Sequence, residues 1–200
     1  MRKSVFSNQS RQSGFTLVEI AIVLVIIGLI LGGVLKGQAL IDNAKYKNFV
    51  KQVESIRAAV LTFQDTYKGM PGDLINISGL NAAATPGSGS GLVGGGACDV
   101  SGEESCLFWS HLRYAGLIAG DPTLIDGSAN IQHSFGVAWG NWGNGVTEHK
   151  IMAYTLPGDI AQRYDNEFDD GNATTGNIAR YGGSGATYDL TTTPNVFITL

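Results

Sequence analysis

Residues 11–28 read RQSGFTLVEIAIVLVIIG, a short polar stretch that gives way at Phe15 to an apolar run. Between Gln12 and Leu35 the only charged side chain is Glu19. As a helix, the run from Phe15 to Leu35 spans about 31 Å at ~1.5 Å per residue. That matches a bilayer hydrocarbon core of about 30 Å. A carboxylate inside such a core costs about 2.5–3.5 kcal/mol even on the mildest scale. Taken alone, Glu19 reads as a charge that snorkels back to the headgroups from one turn inside the membrane.

On the N-terminal side of the run lie Arg2, Lys3 and Arg11. The positive-inside rule therefore places the N-terminus in the cytoplasm and everything after about residue 36 on the far side. A conventional secretory signal carries its small cleavage-site residue after a shorter apolar core. Here Gly14 precedes the core, so cleavage there leaves the apolar segment on the mature chain. The helical pattern continues beyond it: Tyr46, Phe49, Val53, Ile56, Val60, Phe63 and Tyr67 recur at alternating spacings of three and four. Gly69 and Pro71 supply a stop. The stripe on 46–67 predicts packing on the chain's own outer domain, whereas the membrane half has no partner within the chain and needs lipid or other subunits.

Thirteen Lys and Arg stand against seventeen Asp and Glu, a net charge of −4. Loss of the first fourteen residues removes Arg2, Lys3 and Arg11, leaving a net of −7. Such a surface has no attraction for phosphate backbones, so no nucleic-acid partner is indicated. The two cysteines, Cys98 and Cys106, lie beyond the membrane run. An oxidising compartment permits a disulfide between them, and two free thiols are the alternative.

A basic leader ending in Gly14, then Phe15-Thr16-Leu17-Val18-Glu19, an unbroken apolar run and an amphipathic helix resemble the type IV prepilins and type II secretion pseudopilins. The resemblance covers about residues 1–35, with the helical continuation to 67. It implies cleavage by a prepilin peptidase between Gly14 and Phe15, N-methylation of Phe15, and assembly from an inner-membrane platform into a filament of like subunits. It also gives Glu19 a role, neutralising the new Phe15 amine of a neighbouring subunit during docking. Two features depart from the pattern. Lys36 occupies the position of a frequent proline, with Gly32-Gly33 as a substitute point of local helix weakness. The cysteine pair sits early rather than near the C-terminus.

The expected architecture is α+β and pilin-like, one long N-terminal helix packed on a C-terminal antiparallel sheet. The divisions are 1–14 leader, 15–35 transmembrane helix, 36–68 amphipathic continuation and 69–200 globular outer domain. Residues 85–97, TPGSGSGLVGGGA, have the composition of a flexible loop. No Lys-Ser/Thr follows these glycines, which argues against a phosphate cradle. A helix is expected over 103–118, with Leu107, Phe108, His111, Leu112, Ala115 and Ile118 on one face. Phe135, Val137 and Trp139 alternate as a strand, Asn144-Gly145 offers a turn, 151–156 reads as its return, and 195–200 as a last strand.

Catalytic residues are not expected. His111, His133 and His149 lack ligand spacing, and Ser110-His111 are helix neighbours whose side chains point apart. Asp165, Glu167, Asp169 and Asp170 offer the hard oxygens that calcium prefers. The EF-hand spacing is not met, so a polar turn or short exposed helix ended by Asp-Gly is the first reading and calcium the second. The sequence therefore reads as a membrane-assembled filament subunit of a type IV pilus or pseudopilus. The rival reading is a single-span, membrane-anchored periplasmic binding module or enzyme.

Overall fold

The computed structural model describes residues 14, 16–96, 98–135, 139–142 and 149–200. These form two units, residues up to Asn43 and residues Ala44–Leu200. Helix α1 (Leu17–Tyr67) contributes to both and continues without interruption through Gly32-Gly33, so the glycine pair does not act as a break. No side chain from Leu17 to Lys45 is buried within the chain. In the second unit the picture reverses: of the stripe read from the sequence, Tyr46, Phe49, Val53, Ile56, Val60 and Phe63 are buried and Tyr67 is half-buried, and Ala59 joins the buried face. Lys68, in left-handed conformation at φ 56°, closes the helix by donating its N–H to the Gln64 carbonyl (2.9 Å).

The rest of the second unit comprises α2 (Glu104–Tyr114), α3 (Gly158–Phe168) and four short strands: β1 (Trp139–Trp142), β2 (Lys150–Ala153), β3 (Ile178–Arg180) and β4 (Val196–Thr199). The strands form an antiparallel sheet in the order β1-β2-β4-β3. On β4, Val196 and Ile198 are buried and alternate with half-buried Phe197 and Thr199, the period-two signal of a strand with one face on the core. Central β2 buries Ile151, Met152 and Ala153 in succession, because both of its faces are covered. The aromatic residues of α1 reach this core directly. Phe49 meets Tyr164 of α3 edge-on, with ring centroids 5.2 Å apart, an arrangement favoured by ring quadrupoles.

The structure corrects the sequence reading in several places. The expected single apolar face on 103–118 is instead a shorter helix that buries every residue from Ser105 to Arg113, and Gly116 (φ 70°) lies just past its end. The stretch from Asp165, expected as a polar turn or a short exposed helix ended by Asp-Gly, is the last turn of α3 with Asp165 buried, followed by a turn, and strand β3 falls where no strand is expected. Val137 and the Asn144-Gly145 turn fall outside the described residues.

Candidate functional site

The start of α1 is built by Thr16 and Glu19. Thr16 Oγ1 accepts from the Glu19 N–H (3.2 Å), while Glu19 Oε2 accepts from the Thr16 N–H and from its hydroxyl (both 2.8 Å). This is the reciprocal capping box, which satisfies two helix donors that would otherwise lie orphaned. The signal is present in the sequence as Thr-x-x-Glu ahead of an apolar run, a capping pattern that reading Glu19 as a charge alone does not reveal. Both bonds to Thr16 end on Oε2, so Oε1 has no partner among the described residues. Gly14 is exposed, and Phe15 lies outside the described residues. After Glu19 the helix offers an unbroken exposed apolar surface, with Leu24 63% and Leu35 73% exposed. It is long and apolar enough to cross a membrane.

In the outer unit, Cys98 and Cys106 form a disulfide that ties the glycine-rich segment to α2. That segment is not held by the disulfide alone. Asp73 accepts from the N–H groups of Ser90 and Gly91 (both 2.8 Å) and from the hydroxyl of Ser88 (3.2 Å). Glu104 accepts from the N–H of Ser88 (2.7 Å) and of Gly94 (2.5 Å). Two carboxylates thus satisfy the backbone donors of a stretch whose composition reads as flexible. A Cβ on Gly87 would lie 2.2 Å from the Gly72 carbonyl, so this glycine permits close backbone approach rather than motion.

His111 and His133 hold backbone groups of the outer unit together. His111 Nδ1 accepts from the Gly72 N–H (2.9 Å), which leaves its proton on Nε2 to donate to the Thr85 carbonyl (2.7 Å). His133 repeats the arrangement, with Nδ1 accepting from the Phe135 N–H (3.2 Å) and Nε2 donating to the Tyr154 carbonyl (2.9 Å). Burial pushes both imidazoles below their usual range, because the charged form is desolvated. Ser110 turns away from His111 and donates to the Pro122 carbonyl (2.5 Å), as neighbours on a helix must.

Of the four calcium candidates, Asp165, Asp169 and Asp170 have oxygens within 4.8 Å of one another. Glu167 is directed elsewhere and accepts the hydroxyl of Tyr46, whose ring lies under the Arg163 guanidinium at 3.7 Å. Asp165 is fully buried in the last turn of α3, and burial raises its pKa. Its Oδ1 accepts from the Gly171 N–H (2.9 Å). Asp169 Oδ2 accepts from the Ile178 N–H (2.7 Å), and Asp170 from the Asn172 N–H (2.8 Å) and the Thr175 hydroxyl (2.6 Å). These carboxylates hold the turn between α3 and β3 by accepting from its backbone, so a cation would compete with donors already in place except at Asp165 Oδ2, which is buried with no hydrogen-bond partner among the described residues. The cluster fits calcium only in part.

A family model described as the prokaryotic N-terminal methylation motif matches residues 9–35. No curated protein and no solved structure matches the chain. The motif is the hallmark of type IV prepilins and pseudopilins, and this chain carries it.

Proposed function

We propose that this chain, bearing the N-terminal methylation motif, is a structural subunit of a type IV pilus or pseudopilus. The observation that carries the reading is the motif match at 9–35, together with the exposed apolar first part of α1, residues 17–35, whose sole charge is Glu19. The precursor sits in the inner membrane by this helix, with its basic leader cytoplasmic. A prepilin peptidase cleaves between Gly14 and Phe15, and the new amine of Phe15 is methylated. The apolar helices then leave lipid and pack on those of neighbouring subunits, and the outer unit faces solvent.

Glu19 serves twice in this scheme. Oε2 caps its own helix, and Oε1 meets the amine of another subunit's Phe15. The pairing matters because an ionised carboxylate in a low-dielectric helix bundle is costly without a cation, and loss of either partner leaves the other uncompensated.

Mass spectrometry of the membrane-extracted protein tests the processing. The expected N-terminus is N-methylated Phe15, and an intact leader in cells with active prepilin peptidase refutes the assignment. Two substitutions separate the roles of Glu19. Glu19→Gln keeps an oxygen for the Thr16 donors and removes the charge; Glu19→Ala removes both. Both variants are expected to insert and be cleaved yet yield few or no filaments. Normal filament yield from Glu19→Gln would confine Glu19 to capping.

A further inference from the structure

The segment Asp170-Gly171-Asn172-Ala173-Thr174 has no part in assembly as described above. Its Asn-Ala-Thr is an asparagine two residues ahead of a hydroxyl, with no proline between, the acceptor pattern for an N-linked sugar. The structure places it in the turn between α3 and β3. There Asn172 Oδ1 accepts from both the N–H (3.1 Å) and the hydroxyl (2.9 Å) of Thr174. Both bonds end on the carboxamide oxygen, and Nδ2 has no partner among the described residues. These bonds fix the rotamer of the carboxamide and leave Nδ2, with both of its protons, outside the turn's own hydrogen bonds.

Turns of this type are common in the molecule. Asp121 with Thr123, Asp126 with Ser128 and Asp189 with Thr191 form them, but a carboxylate has no nitrogen to give. Asn76 does have one, and its Oδ1 accepts from the N–H (3.2 Å) and hydroxyl (2.6 Å) of Ser78. The two asparagines differ in what stands two residues before them. Leu74 precedes Asn76, whereas Asp170 precedes Asn172 and is exposed. A transferase that must choose among many Asn-x-Ser/Thr sites gains a charged handle at Asp170. Exposed Thr174 and Thr175 flank the other side, while buried Ala173 anchors the turn through its N–H to Ala186 (2.9 Å) and its carbonyl to Arg180 (2.8 Å).

We propose that Asn172 is the acceptor of an N-linked glycan, transferred outside the inner membrane from a sugar carried on a lipid diphosphate. In the step, Nδ2 attacks the anomeric carbon and the N–C1 bond forms. The bond from C1 to the phosphate oxygen breaks, and the lipid diphosphate departs with the electron pair. Nδ2 gives one proton to a base of the transferase, and nothing is oxidised or reduced. The site rests on the outward orientation proposed above.

The experiment is peptide mass spectrometry on the full protein purified from membranes of its own cells. The expected result is a sugar mass on the peptide carrying Asn172, with the Asn76 peptide unshifted. Asn172→Gln and Thr174→Ala are expected to abolish the increment, Thr174→Ser to retain it, and Asp170→Asn to lower occupancy several-fold. An intact Cys98–Cys106 pair and an unchanged melting temperature in each variant separate loss of the site from loss of the fold. A bare Asn172 in the native protein, or a sugar found only on Asn76 or on a hydroxyl, overturns the proposal. The same digest reads the N-terminal peptide, so an unprocessed leader reports failure of the filament reading separately.

Discussion

In the assembly proposed above, Glu19 answers two demands. A free carboxylate in a membrane helix is a cost, yet Thr16 and Glu19 together satisfy the first turn of α1. Capping alone is worth about 1 kcal/mol, less than the penalty of a charge deep in hydrocarbon, so a cation partner is the stronger reason for an acid in place of a glutamine. His111 and His133 are the corresponding residues of the outer unit. Each uses one ring nitrogen as acceptor and the other as donor, an arrangement open only to neutral imidazole. Their folded-state pKa values lie below the unfolded value of about 6.5. Between the two values the unfolded chain binds more protons than the folded one, so stability rises with pH there. The contribution is complete above about pH 6.5 and is lost as the pH falls, moderated at His111 by the nearby negative charge of Glu104. Thermal melts across pH 4–8 are expected to show this decline (the unfolded His value sets the upper edge), and a melt insensitive to pH in that window would contradict it. His111→Ala leaves a buried Gly72 N–H and the Thr85 carbonyl without partners and is expected to cost about 2–4 kcal/mol.

At the scale of elements, the glycine-rich segment shows how composition misleads. Thirteen residues rich in Gly and Ser at 85–97 suggest a mobile linker. Carboxylates distant in sequence, Asp73 and Glu104, instead supply the acceptors its backbone needs. Asp73→Asn keeps one acceptor oxygen and turns the other into a donor that opposes the N–H of either Ser90 or Gly91, and limited proteolysis is expected to cut near 88–94 in this variant but not in the parent. Equal resistance would show that Glu104 and the disulfide suffice. Replacing Cys98 and Cys106 together by serine opens a short loop, and chain-entropy arguments put the loss at about 2–3 kcal/mol, measurable as a lowered midpoint of chemical unfolding. The turn after α3 is a parallel case. Asp165, Asp169 and Asp170 look from sequence like cation ligands, yet they accept from Gly171, Ile178 and Asn172. Calorimetric titration is therefore expected to show no stoichiometric calcium binding at millimolar levels, and a saturating heat would restore the cation reading.

For the whole molecule, the division of labour along α1 follows from one-dimensional pattern. An unbroken apolar run demands an apolar surround, and a stripe at spacings of three and four demands a single packed face. Both were legible in residues 15–67, as were the last strand at 196–199 and the cysteine pair. The methylation motif over residues 9–35 likewise needs no fold, because it is carried by order and spacing. What tertiary structure decided lies in the outer unit. α2 buries its whole circumference, and periodicity cannot reveal a second covered face when polar residues such as Ser105, Ser110 and Arg113 are satisfied by contacts with distant segments or enclosed by them. α3 carries its own helical stripe in Ile160, Ala161 and Tyr164, but only the fold shows that Tyr164 meets Phe49 of α1, and β3 is defined by its pairing with β4. Hydrogen bonds between residues far apart in the chain ordered the glycine-rich segment and assigned the aspartates, since a carboxylate's role depends on which donors the fold brings to it.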